Sequence, residues 1–348
     1  MGTGAQFETI DNPASLAGRW RDLESRAESS FFTSWHWMGP WLATLRQKPM
    51  LFSWRTGGRV VAVALVSLRR IRRRLLPVPT LFLNQTGDPA EDKAYIEYNT
   101  LLAEAGRESE AFVAFHKALT SAGEADNGMT HWQRLRLAGL PGADVARVQA
   151  LNWRIVEKTE SLVPYVDLAK VREHEGRYRD LLSRNTRQSI ARSERLYKDA
   201  GPLELAAAGN AEQALSWLDH HARLQIARLQ AKGRTSSFET PLFRTFVAAL
   251  LRANIPTGTA EMLRLSAGAP IGYLINFKYR RQVMNYQAAM TEVDDQRLKP
   301  GLLSHAMAIA RHADGPYDRY SLLAGGDRYK TSLATDREHL YWLTVRRS

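Results

Sequence analysis

The last third of the chain carries the pattern that most limits its fold. Residues 271–277 and 283–288 read as two strands, and Lys278 to Gln282 forms a basic turn between them. The two runs therefore pair as an antiparallel hairpin. A polar loop containing Asp294 and Asp295 follows, then Lys299, Pro300 and Gly301, then apolar residues at helical spacing as far as residue 313. Proline suits the first position of a helix, because its missing N–H has no partner there in any case. A strand-like run at 317–323 comes next, and after it Gly325, Gly326, Asp327, Arg328, Tyr329 and Lys330. Such an order places a helix start beside two strands. Unpaired N–H groups and partial positive charge at a helix start suit a phosphate-bearing ligand.

At 348 residues the chain is long enough for two domains, and 44% apolar content gives each a core. Lys and Arg number 48 against 36 Asp and Glu, a formal charge of +12. That excess favours anionic partners or substrates: phosphates, nucleic acid or an acidic membrane surface. The chain has no cysteine, which excludes disulfides, thiolate catalysis and Cys-based metal sites. No HExxH or comparable metal spacing occurs, and His220 and His221 are adjacent on a predicted helix and so point apart. No metal is expected. No secretion signal is read at the amino terminus, and the longest apolar run, 60–68, is too short to span a bilayer. The expected compartment is the cytoplasm.

In the first half, helices are predicted at 16–27 and 109–121, and an aromatic segment at 31–45 places Trp37, Trp41 and Leu45 on one helical face. Strands are predicted at 51–54, 60–68, 80–83, 95–102, 132–137 and 153–157. A boundary falls at 157–163, dividing the chain into domains 1–160 and 161–348. Beyond it come a strand at 164–168, a basic helical region at 172–198, a strand at 202–207, helices at 210–232 and 240–253, and a meander at 260–266, 270–279 and 282–291. The helix at 300–313, the strand at 317–323, a short helix near Tyr329 and a strand at 340–346 complete the chain. No internal repeat stands out by residue identity. Helices mixed with a largely antiparallel meander indicate an α+β fold.

In this order the residues resemble the GNAT acyltransferase superfamily, in the branch grouped with cellulose-biosynthesis-associated acetyltransferases and related to the FemAB peptidyltransferases. The resemblance rests on the aromatic motif from Phe31 to Trp41, the strand 60–65, the basic stretch 183–192, Lys299-Pro300-Gly301 and the run from Gly325 to Lys330. It implies two tandem GNAT-like domains, each a mixed, largely antiparallel sheet flanked by helices. The first would be degenerate or substrate-binding and the second the acyltransferase. It implies acyl-CoA, acetyl-CoA above all, as donor and a small amine or amino-sugar as acceptor, with direct attack and no covalent enzyme intermediate. The usual GNAT phosphate loop has two small residues, whereas the stretch from Arg297 to Leu302 keeps one glycine. That departure leaves an aminoacyl-tRNA donor, as in FemAB-type relatives, open beside acyl-CoA, and a non-catalytic scaffold that binds an anionic partner is the further alternative.

Five constellations bear on chemistry. Lys299, Gly301, Leu302, Leu303 and Ser304 are the candidate phosphate cradle. Tyr329 is the candidate general acid for a leaving thiolate, and Lys330 and Asp327 stand with it as candidate catalytic residues. Trp37, Arg187 and Tyr286 are the candidate substrate contacts. His305 follows the cradle and has two readings, packing or substrate contact. Arg184, Arg187, Arg192 and Arg195 on the basic helix, and five arginines within 69–74 read as an exposed turn, suit tRNA, an acidic membrane or solvent alone. The oligomeric state is not readable from these features.

Overall fold

One order of elements occurs twice along the chain: strand, two helices, three antiparallel strands, helix, strand, helix, strand. The computed structural model describes residues 4–73, 76–120, 129 and 131–347. The order appears first as β1 (Gly4–Glu8), α1 (Pro13–Glu24), α2 (Trp35–Thr44), β2 (Met50–Thr56), β3 (Arg59–Arg73), β4 (Leu76–Leu83), a short β5 (Leu102–Ala103), α3 (Glu108–Thr120), β6 (Arg134–Pro141), α4 (Gly142–Gln149) and β7 (Arg154–Asp167). Two further helices follow, α5 (Leu168–Glu173) and α6 (Arg184–Ala200). The order then recurs as β8 (Leu203–Ala207), α7 (Ala211–Gln230), α8 (Pro241–Asn254), β9 (Ala260–Ala267), β10 (Ala269–Tyr279), β11 (Gln282–Met290), α9 (Pro300–Ala313), β12 (Arg319–Ser321), α10 (Arg328–Leu333) and β13 (Asp336–Arg346). The repeat that residue identity does not reveal is thus plain in the topology.

Two compact units result, Met1–Glu160 with His339–Ser348, and Ser161–Glu338. In the first, the strand order is β1-β2-β3-β4-β6, closed by residues 340–346 of β13 antiparallel to β6. In the second it is β8-β9-β10-β11-β12, closed by residues 165–167 of β7 antiparallel to β12. The last ten residues accordingly belong with the first unit, where the sequence boundary had given them to the second. In each unit one pair is parallel, β4 with β6 and β11 with β12, and the rest are antiparallel.

Alternation along the strands feeds two faces of each sheet. In the second unit Leu274 joins a core with Ile190, Leu263, Leu303, Ile309 and Tyr320, beneath α6 and α9. Its neighbour Tyr273 points the other way and meets Trp217 of α7 at 6.2 Å. The first unit's core is aromatic-rich, with Phe52, Phe112, Phe115, Trp132 and Trp153.

Three expectations change. The region 172–198 is not one helix: Glu175 and Gly176 take φ of +55° and +73°, which ends α5, and a 3-10 turn at Tyr178–Leu181 precedes α6. Strand 95–102 reduces to Leu102–Ala103. The arginine run is not a turn, since Arg69 to Arg73 continue β3 opposite Leu76–Thr80. Arg74 lies outside the described residues.

Candidate active site

In the second unit β11 and β12 run together over three pairs only, from Gln282 opposite Arg319 to Met284 opposite Ser321. Beyond them the chains part. β11 continues beside β10 to Met290. The chain after Ser321 follows β7 instead: Leu322 N–H donates to Pro164 O (3.0 Å) and Gly325 N–H to Leu162 O (2.9 Å). From Asn285 to Met290, β11 therefore has an edge without a neighbouring strand among the described residues. Such an edge offers backbone donors and acceptors to an extended ligand. A bulge marks the point of parting. Ile275 pairs with Gln287 and Asn276 with Asn285, so Tyr286 is the extra residue. Its ring is buried against Phe277 at 5.2 Å.

α9 starts beside this edge. Lys299 N–H donates to Ser193 Oγ of α6 (2.9 Å), Pro300 has no N–H, and Leu303 N–H returns to Lys299 O (3.0 Å). No side chain among the described residues caps the helix. The N–H groups left to a ligand are those of Gly301 and Leu302. A Cβ on Gly301 would meet nothing nearer than Met290 Cγ at 3.8 Å, so the approach to the helix start is open. Leu303 and Ser304 do not join this set. Both are fully buried, Leu303 N–H is spent within the helix, and Ser304 Oγ lies 3.6 Å from Met290 Sδ. Arg297, the basic residue of the preceding loop, is held by Asp295 through Nε–Oδ1 (3.0 Å) and Nη2–Oδ2 (2.8 Å) contacts. That hydrogen bonding keeps the Asp295 carboxyl below its ordinary range.

On the other side of the parting stands α10. Lys330 does not point to water: its Nζ donates to Ala324 O (2.8 Å) and Leu323 O (3.3 Å). Leu323 and Gly325 take φ of +58° and +135°, and a Cβ on Gly325 would sit 3.1 Å from Lys330 Nζ. The glycine is there because the ammonium passes against it. Asp327 is exposed, and its side chain makes no cap bond to α10. Tyr329 is half-buried; burial, with the charge of Asp327 second, pushes its phenol up to about 12. The hydroxyl is therefore a proton donor across the neutral range.

The ring of Tyr329 stacks on His305 of α9 at 5.9 Å and 26°. His305 is 1% exposed, and its Nε2 has no hydrogen-bond partner among the described residues. Burial, helped by the Lys330 charge, holds its pKa down to about 3, so it is neutral. It begins a buried polar seam. His305 Nδ1 lies 3.5 Å from Tyr320 Oη, Tyr320 Oη 3.4 Å from Asn276 Oδ1, and Asn285 Nδ2 2.9 Å from the same oxygen. Asn276 Nδ2 donates to Glu261 Oε1 (2.9 Å), which also meets His312 Nε2 at 2.5 Å. The seam ties β10, β11, β12 and α9 together where the strands part. Sequence reasoning weighed His305 singly and missed its partners; the seven-residue spacing of His305 and His312 on one helix face was the available signal.

Two predicted contacts lie elsewhere. Trp37 belongs to the first unit, is 1% exposed, and packs on Phe32 and Phe31 at 4.8 and 6.1 Å. It is a core residue, with no surface for a substrate to touch. Arg187 is half-buried on α6, and its Nη1 lies 4.0 Å from Asp180 Oδ1.

The corresponding place in the first unit is filled by its own chain. β4 and β6 also run parallel over three pairs, Thr80–Arg134 to Phe82–Arg136. Asn99, fully buried, then bridges them: its Nδ2 donates to Leu83 O (2.9 Å), and its N–H donates to Gly139 O (3.0 Å). Asn84 Nδ2 donates to Asn99 Oδ1 at 2.7 Å. A Cβ on Gly139 would meet Ile96 O at 2.9 Å, so the segment is pressed into the gap. α3, the counterpart of α9, opens with Glu108 and Glu110, which repel an anion.

Residues 184–331, from the start of α6 into α10, match the family model of the acetyltransferase (GNAT) domain. No curated protein matches the sequence. Solved structures share the whole fold at low identity. FemX aligns with a TM-score of 0.59 and 10% identity over 95% of each chain. The C-terminal domain of a protein named as a lysylphosphatidylglycerol synthetase, from Agrobacterium fabrum, aligns at 0.57 and 13%, over 97% of this chain and 93% of that one. L-PGS from Bacillus licheniformis aligns at 0.55 and 9%, over 100% and 94%.

Proposed function

We propose that this chain, whose residues 184–331 match the acetyltransferase (GNAT) domain model and whose fold is shared with FemX, is an acyltransferase that moves an acyl group from acyl-CoA, acetyl-CoA first, to a primary amine. The observation that carries this reading is the parting of β11 from β12 beside an uncapped helix start. A bound acyl-CoA would supply the thioester carbonyl and the phosphates. Gly301 and Leu302 N–H groups would receive a phosphate, with Lys299 adding charge. The open edge of β11 would align an amide-bearing arm as an added strand. Tyr329 holds a proton at its Oη for the departing sulfur. Lys330, anchored on Ala324 O, fixes the loop that carries Tyr329 and sets a positive charge beside it. Asp327, whose charge reaches the Tyr329 phenol, is assigned the proton of the attacking amine.

Calorimetry with acetyl-CoA tests the donor. Saturable binding lost in Gly301→Glu is expected, since a carboxylate would enter the phosphate position. A second reading has a specific observation behind it: Arg184, Arg192 and Arg195 are exposed on α6, the helix that holds Lys299 through Ser193. These guanidinium groups suit the backbone of an aminoacyl-tRNA. Saturable binding of aminoacyl-tRNA, without binding of acetyl-CoA, would replace the first donor by the second. A lipid or a sugar amine as acceptor is then decided by product analysis with each.

A further inference from the structure

We infer that the β3–β4 ribbon of the first unit is a docking surface for an anionic lipid membrane. Past Leu68 and Thr80 the ribbon is two-stranded. β2 leaves β3 at Val66, and β6 meets β4 only from Thr80 onward. Opposite residues of the pair share a face. On one face Arg69, Ile71 and Arg73 lie opposite Thr80, Val78 and Leu76; on the other Arg70 and Arg72 lie opposite Pro79 and Pro77. Arg69 pairs with Asp88 at 2.9 Å, and Arg73 pairs with Glu157. Arg70 and Arg72 are exposed, and no carboxylate lies within ion-pair reach of either among the described residues. Two unneutralised cations therefore sit on a narrow ribbon. On the opposite face, at the far end of the same ribbon, Leu76 is 72% exposed, the most exposed large apolar side chain described.

The edge of the ribbon narrows the choice of partner. Pro79 O accepts from Gln133 N–H (2.9 Å), so its backbone faces away from β3. In a strand the N and O of one residue point the same way, and Pro77 repeats the orientation two residues earlier. Both missing N–H groups thus lie on the outer edge, which blocks addition of a partner strand. Single-stranded nucleic acid is gripped by stacking on aromatic rings, and residues 69–79 contain none. Phosphates alone would leave Leu76 in water. A headgroup layer entered by the end of the ribbon takes both faces: the guanidinium groups of one at the phosphates, and Leu76 of the other at the acyl boundary.

Flotation with phosphatidylglycerol–phosphatidylcholine vesicles, against phosphatidylcholine alone, tests the proposal without reference to catalysis. Binding to the anionic vesicles only, weakening with salt, is expected. Arg70→Gln with Arg72→Gln should weaken it about 25-fold, roughly fivefold per arginine near an anionic surface. The chain has no cysteine, so Leu76→Cys carries a single environment-sensitive dye. That dye should report an apolar surrounding with the anionic vesicles and water without them. Equal vesicle binding by the double variant, or a dye that stays in water, overturns the proposal. So does a wild-type chain that ignores anionic vesicles and binds an RNA oligonucleotide instead.

Discussion

A phenol serves as an acid toward a leaving thiolate only if it keeps its proton until the bond breaks. Burial of Tyr329 and the nearby Asp327 secure that, and the stack on His305 fixes where the ring lies. Tyr329→Phe keeps the stack and removes the proton. Turnover should fall by roughly 10²-fold or more while donor affinity barely moves. Single-turnover kinetics and calorimetry separate the two, and unchanged turnover would remove Tyr329 from the chemistry. His305 has a second consequence, shared with His221 of α7, which is fully buried against Phe238 with neither ring nitrogen bonded among the described residues. Burial holds both imidazoles down to about 3, whereas the unfolded chain protonates them near pH 6.5. Their folded pKa is the lower one, so their contribution is complete above about pH 6.5 and is lost as pH falls toward 3. Each removes up to roughly 1.4 kcal/mol per pH unit across that window. Urea melts at pH 7 and pH 5 should differ accordingly, and His221→Phe should shrink the difference. A stability equal at both pH values would contradict the assignment.

α9 is placed by contacts at both its surfaces. Ser193 of α6 holds the N–H before its first turn, and Gly272 of β10 lets its buried side approach the sheet. A Cβ on Gly272 would come within 2.4 Å of Met290 Sδ, 3.1 Å of Ala289 O and 3.4 Å of Ser304 Oγ. Gly272→Ala should therefore cost about 1–3 kcal/mol of stability through overpacking. It should also weaken donor binding, because Met290 lies under Gly301. Denaturant melts and calorimetry on this variant check both, and a fully stable protein with wild-type binding would show that α9 is not so constrained. The helix itself was legible in the sequence at both ends, since Pro300 at its first position and apolar spacing to Ala313 are local signals. The hairpin of β10 and β11 was legible for the same reason. The ribbon of β3 was not: five arginines read as a solvated turn, while the pairing of Ile71 with Val78 and Arg73 with Leu76 overrides their polarity. Nor was the polar seam. Glu261, Asn276, Asn285, His305, His312 and Tyr320 are joined only by the sheet and α9, and no sequence spacing except that of the two histidines links them. Trp37 was read as a contact because aromatic residues serve both cores and ligands, and only burial separates the two uses.

At the scale of the molecule, a repeated topology need not mean a repeated site. Both units have a parallel pair that parts after three residues, and in both a helix lies between the two strands in the chain. Their sequences then diverge in two independent ways. The second unit leaves its gap open and begins α9 with Lys299, Pro300 and Gly301. The first closes its gap with Asn99 and begins α3 with Glu108 and Glu110. In the proposed reaction a phosphate-bearing donor would meet backbone N–H groups in one place, and carboxylates and a filled gap in the other. One donor site per chain is the expected outcome. Calorimetry with the donor that binds should give a stoichiometry of about one, as one open gap beside a helix start allows. Glu108→Gln with Glu110→Gln should not raise it, because Asn99 still bridges β4 and β6 once the charges are gone. Asn99→Gly should destabilise the first unit, since one N–H of the Asn84 amide, whose nitrogen otherwise donates to Thr100 O, and the carbonyl of Leu83 lose the partner that Asn99 gives them, at about 1–3 kcal/mol for each group left unsatisfied. Two equivalent sites in the unaltered chain, or a second site opened by the two glutamine substitutions, would mean that the first unit still binds the donor and that its closed gap is not a barrier.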